Sequence, residues 1–130
     1  MNAQARSALQ QYGHTGTAGA VEVASPHRLI QMLLIGALDK IAVAKGAILH
    51  KNIPAKGENI GWAISIIDSL RASLNHDAGG ELAGNLSDLY EYMSRRLLIA
   101  NAHNDVMILD EVANLLRQIK FGWDGIADQV

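Results

Sequence analysis

Cysteine is absent from this chain of 130 residues, which excludes a disulfide framework, thiolate catalysis, zinc fingers and iron–sulfur ligation. Proline occurs twice, at Pro26 and Pro54, both where a helix is expected to begin. Long apolar runs are missing too: none approaches the ~20 residues that span a bilayer, so no membrane insertion is expected. Residues 1–11 hold one arginine in a polar scatter, where a signal peptide needs a basic start and an apolar middle. Neither sign of charge dominates. Lys and Arg number 11 against 13 Asp and Glu, a net charge of −2, with no basic patch to meet a phosphate backbone, so nucleic acid is not an expected partner. A cytoplasmic protein fits these absences.

What the chain does carry is helical periodicity. Apolar residues recur at spacings of three and four in four stretches. The first holds Ile30, Leu34, Ala37, Ile41, Ala44 and Ile48, and the second Ile60, Ala63, Ile67, Leu70 and Leu74. The third holds Leu82, Leu86, Leu89, Met93, Leu97 and Ala100, and the fourth Leu109, Val112, Leu116, Ile119, Trp123 and Ile126. Such spacing lines one face of a helix, whereas a strand needs alternation at every second residue. Four one-faced helices must hide those faces against one another. With 49% apolar and 18% charged residues, the chain reads as one domain able to bury about two-thirds of its unfolded surface.

Residues 1–24 read as a tether, with Gly13, Gly16 and Gly19 spread through a Thr/Ala-rich stretch that is entropically expensive to order. Within it Ala5, Ala8, Leu9 and Tyr12 recur at helical spacing, which fits a short amphipathic helix that forms against a surface, the alternative being a frayed tail with an incidental tyrosine. Residues 25–130 form the bundle domain. Ser25 caps a helix with Pro26 at its first position, running to about residue 51. A second helix is expected from about 54 to 75, ended by Asn75 and the Gly79-Gly80 pair, and a third from Glu81 to about 103. Asn104 or Asp105 caps the last. Short connections between such helices predict an all-α, antiparallel four-helix bundle.

Catalytic and metal-binding constellations are not found. His14, His27, His50, His76 and His103 fall in the tether or near helix ends, and are read as solvated. The Glu-x-x-His pairs of a di-iron bundle are missing, since the residue three after Glu91 is Ser94 and three after Glu111 is Asn114. His27 lacks the Lys-Gly neighbourhood of a phosphotransfer histidine, and no Gly-x-Ser-x-Gly turn is present. No catalytic residue, cofactor or metal ligand is assigned, and enzyme activity is not expected.

The residues around the helix breaks resemble the FliS family of flagellin export chaperones. The matching elements run in order through nearly the whole chain: Tyr12; "ASPHRLIQML" at 24–33, with Gly36 beyond it; "GGELAGNLSDLYEYM" at 79–93; "RLLIAN" at 96–101; Asp105; and "EVANLL" at 111–116, followed by Trp123. One departure is that family members commonly carry a tyrosine and an acidic residue where this chain has Leu34 and Ile35. The resemblance implies a cytoplasmic chaperone with a four-helix bundle and an N-terminal cap. Its client would be the disordered C-terminal segment of flagellin, held unpolymerised and unfolded for type III export without ATP. It also raises contacts with the export gate and with flagellar regulatory proteins. The competing reading is a helical adaptor or regulatory module that binds a folded partner.

Candidate contact residues are apolar ones lying off the stripes. Trp62 and Ile66 are displaced from the face of Ile60, Ile67 and Leu74, the alternative being a broad core that takes in Ile66 while Trp62 rests on a neighbouring loop. Leu34 and Ile35 point about 100° apart, and Ile35 is the expected exposed groove position. Leu98, Ile99 and Ala102 widen the third stripe beyond one contact face, for the cap or for client. Leu9 and Tyr12 would seat the N-terminal segment over the groove, with client contact by Tyr12 the alternative.

Overall fold

The computed structural model describes residues 24–126; the expected tether and cap, including Leu9, Tyr12 and His14, lie outside the described residues. Four helices follow one another: α1 (Pro26–Leu49), α2 (Ile53–Ala72), α3 (His76–His103) and α4 (Val106–Gly125). No strand occurs among the described residues. Connections of two or three residues make successive helices antiparallel neighbours. Helix α1 packs against α2 and α4, and α3 packs against the same two. The fold is an antiparallel four-helix bundle, as the periodicity predicts.

Side chains set where each helix starts. Ser25 Oγ accepts from the Arg28 amide at 3.1 Å, and Pro26 takes a first-turn position that has no amide to leave unpaired. Asn52 Oδ1 accepts from the Ala55 amide at 3.2 Å. Asp105 Oδ1 accepts from the amides of Met107 and Ile108 at 2.9 and 3.2 Å, while Asn104 closes α3 in the left-handed conformation. Asn75 differs from its expected role as a helix terminator. Its Oδ1 accepts from the Ala78 amide at 3.0 Å, making it the N-cap of α3, and α2 has already stopped at Ala72. An Asn between two helices serves either end, and here the free amides of the following turn claim it. The Gly79-Gly80 pair therefore sits inside α3. Gly80, at φ 51° and ψ −125°, interrupts the helix there, so residues 76–79 form a first turn kinked away from the rest.

Leu29, Leu33, Leu34, Ile60, Ile67, Leu70, Met93, Leu97, Leu109 and Leu116 are fully buried, each contributing roughly 1.5–3 kcal/mol by leaving water. Gly36, Ala37 and Ala44 on α1 and Ala63 on α2 are buried too, and their small size permits close approach of helix axes. One histidine departs from its expected solvated state. His27 is only 8% exposed, its ring stacked on Trp123 with centroids 4.6 Å apart and planes at 9°. The last turn of α4 reaches the first turn of α1 and covers it. His50, His76 and His103 are exposed.

Candidate functional site

The apolar stripes outrun the core at one end of the bundle. Antiparallel order gathers there the start of α1, the end of α2, the start of α3 and the end of α4, and between them lies a cavity of about 790 Å³. Leu34, Leu70, Ala83 and Tyr90 line it with buried side chains. Ile30, Leu74, Leu86, Ile119, Trp123 and Ile126, all half-buried, line it as well. Leu82, on the turn after the Gly80 kink, is 66% exposed and adds to the same lining. From Gln118 to Ile126 the α4 wall extends about 12 Å at ~1.5 Å per residue. The result is an apolar groove two to three helical turns long.

Polar contacts hold the walls in place. Trp123 Nε1 donates to the main-chain oxygen of His27 at 3.0 Å. Beside it Asp124 accepts from Lys120 Nζ at 2.6 Å and from Gln31 Nε2 at 2.7 Å, and these bonds, that of Lys120 foremost, hold its carboxyl below its ordinary value. Across the bundle Arg71 Nε donates to Ser87 Oγ at 2.8 Å, joining α2 to α3. Within the lining, Ser73 Oγ donates to the Leu70 oxygen at 2.8 Å and Asn75 is engaged as a cap. Tyr90 is 3% exposed, and burial pushes its phenol up to about 12. Beyond the groove, Glu111 accepts from Tyr92 Oη at 2.6 Å and from Arg96 Nε at 2.9 Å, fastening α3 to α4. Those two bonds hold the Glu111 carboxyl below its ordinary value, and the Glu111 bond pushes the Tyr92 phenol up.

Of the residues singled out from sequence, Leu34 lines the groove. Ile35, one step round the helix, is half-buried and does not line it, a correction to its expected place as the exposed groove position. Ile66 belongs to the core at 1% exposure, because α2 is gripped by both α1 and α3 and so buries more than one stripe. Trp62 packs against the core, with Lys40 Nζ 4.1 Å from its ring centroid in a cation–π contact. Leu98, Ile99 and Ala102 are exposed near the C-terminal end of α3, at the end of the bundle opposite the groove. Leu9 and Tyr12 fall outside the described residues.

Most groove residues were assigned from sequence to the core: Ile30, Leu74, Leu82, Leu86, Ile119, Trp123 and Ile126 all sit on the apolar stripes. A usable cue was present in those stripes. Once the helices alternate in direction, the first apolar residue of α1 and α3 and the last of α2 and α4 converge on one end. Tapering stripes at a shared end mean more apolar surface than the four helices themselves can cover.

Among the described residues no group of three or more His, Asp or Glu is arranged to hold a metal ion, and no helix is long and apolar enough to cross a membrane. Fold and site together define an all-α bundle with an open apolar groove at one end. The chain belongs to the FliS family of flagellar secretion chaperones, whose family model, Flagellar protein FliS, matches residues 8–130. It is 51% identical over 123 residues to the flagellar secretion chaperone FliSB of Pseudomonas aeruginosa, covering 95% of this chain and 98% of that one. Identity to the flagellar secretion chaperone FliS of Vibrio cholerae is 41%, over 93% of this chain and 89% of the relative. With the Salmonella typhimurium chaperone FliS it is 43%, over 93% and 90%. This is a family of chaperones, not of enzymes.

Proposed function

We propose that this protein is the cytoplasmic chaperone of flagellin, binding the disordered C-terminal segment of that subunit, preventing its premature polymerisation and keeping it competent for type III export. The observation that carries the reading is the apolar groove between the start of α3 and the end of α4. A groove of that length takes the i, i+3/i+4, i+7 face of an amphipathic helix. The client orders as it binds, which consumes roughly 2–5 kcal/mol of the contact energy, so contact extends past the groove. Exposed Leu98 and Ile99 at the far end of α3 are the surface proposed for the remainder of a wrapped client. Residues 1–24 act as a cap that occupies the groove until client displaces it. Ala24 packs against the core immediately before the helix that brings Ile30 to the groove, which supports a cap at this end of the bundle. Release follows when the client is passed to the export gate, with no nucleotide involved.

The test is calorimetric titration with the isolated C-terminal segment of the cognate flagellin, paired with circular dichroism of the mixture. One-to-one binding between nanomolar and micromolar, about −12 to −8 kcal/mol, with gained helix and a negative heat-capacity change, is the expected result. Absence of binding at high micromolar concentration overturns the flagellin reading. Binding without any gain of helix would instead indicate an adaptor for folded partners.

A further inference from the structure

The groove wall holds one polar group that the fold leaves unpaired. Tyr90 is 3% exposed and lines the groove with Leu34, Leu70 and Ala83, yet its hydroxyl has no hydrogen-bond partner among the described residues. Among the described residues only the His27 ring nitrogens are buried without a partner, so the Tyr90 oxygen still reaches water at the groove surface. Two residues along, Tyr92 instead donates to Glu111. A phenylalanine at position 90 would fill the same volume. The hydroxyl therefore contributes nothing to the bundle that the ring alone does not.

We propose that the Tyr90 hydroxyl donates a hydrogen bond to an oxygen of the peptide segment that fills the groove, and thereby fixes the register of that segment. The inference rests on the groove being the client site. Apolar walls alone discriminate poorly between registers one turn apart, since any amphipathic stripe fits them about equally well. A single buried donor breaks that degeneracy, as a lone polar residue does in a coiled-coil seam. Burial keeps the phenol protonated far above neutral pH, so the donor is always present. The other polar groups of the lining do not compete for the role. Ser73 and Asn75 are committed to α2 and α3, and Gln118 is exposed.

Tyr90→Phe separates hydroxyl from ring. Titrated with the flagellin C-terminal segment, this variant is expected to bind roughly ten-fold more weakly than wild type, the effect of one lost buried hydrogen bond. Its thermal midpoint should equal or exceed that of wild type. In wild-type protein labelled at the tyrosine ring carbon bearing oxygen, the Tyr90 resonance should shift when client is added. Affinity within two-fold of wild type together with an unmoved resonance overturns the proposal while leaving the client reading intact, whereas failure of wild type to bind removes both. Combining Tyr90→Phe with alanine substitutions of each polar residue of the client identifies the acceptor. A substitution that erases the difference between the two proteins assigns a side-chain oxygen, and if none does, the acceptor is a main-chain carbonyl.

Discussion

Lys56 Nζ lies 2.5 Å from Asn104 Oδ1 and 2.8 Å from the main-chain oxygen of Asn101, tying the first turn of α2 to the last turn of α3. The final carbonyls of a helix have no amide to accept from, and the negative end of the helix dipole sits among them. A buried ammonium on the neighbouring helix answers both needs. Asn104 in turn holds the left-handed conformation, at φ 54°, that ends α3.

Lys56→Met keeps most of the apolar stem and removes the charge and both bonds. The main-chain oxygen of Asn101 then loses its side-chain donor, which is expected to lower stability by about 1–3 kcal/mol in urea unfolding. A variant as stable as wild type would show that water serves these acceptors equally well.

Gly80 carries a backbone geometry that a side chain resists. Gly80→Ala should destabilise by about 1–3 kcal/mol, or force the kink in α3 to relax. At Gly79 the difficulty is space, because a Cβ there would lie 2.9 Å from the Cβ of Ala83, itself 3% exposed. Both positions border the groove, so each alanine variant is expected to weaken client binding along with its fall in melting temperature. Tight binding by a fully stable Gly80→Ala protein would mean that the kink has no part in shaping the site.

Leu82 gives the opposite kind of test, being exposed in the free protein yet part of the groove. Leu82→Asp should leave the thermal midpoint nearly unchanged, as surface substitutions usually do. Titration with the flagellin segment should show affinity reduced ten-fold or more, because a carboxylate must be desolvated against an apolar client. Equal affinity would move the client away from this end of the bundle.

The bundle was legible in sequence because apolar spacing and end residues agreed. Stripes at three and four gave four helices, and Ser25, Pro26 and Asp105 marked starts that the structure retains. Asn75 was not legible, since the same amide ends one helix as readily as it caps the next. His27 was read as solvated because nothing local reveals that Trp123, on the last helix, will cover it. The groove was hidden for a related reason. A stripe identifies which residues seek burial, but only the packing of all four helices shows that Leu82 stays uncovered at one end while Ile66 is buried.

Glu111 makes stability depend on pH in a defined direction. Its carboxyl is held below the ordinary 4.5 by hydrogen bonds from Tyr92 and Arg96, so the folded state gives up this proton more readily than the unfolded one. The stabilisation is fully present above that ordinary value and disappears as pH falls through the lower folded-state value. Glu111 is more than a third exposed, which limits the effect to about 1 kcal/mol or less. Glu111→Gln should therefore melt below wild type at neutral pH, with the gap narrowing as pH falls below 4.5. A gap that stays constant through the acid range would remove the carboxylate as its cause.

His27 presents two buried ring nitrogens, and neither has a hydrogen-bond partner. A neutral imidazole always offers one N–H and one lone pair, so burying both unserved opposes folding, and the stack on Trp123 is what offsets it. His27→Phe keeps an aromatic ring to stack and removes both unserved atoms. The bond from Trp123 Nε1 ends on the main-chain oxygen of His27 and survives the change. Replacing an unpaired polar group by an apolar one of similar shape is neutral or stabilising, so this variant should melt at or above the wild-type temperature. Trp123→Phe provides the contrast. It removes the donor to the His27 oxygen and shrinks the stacking surface, and should fall by about 1–3 kcal/mol. If His27→Phe also lost stability, the imidazole would have to be bonded in solution, although both of its nitrogens are closed to solvent in the structure.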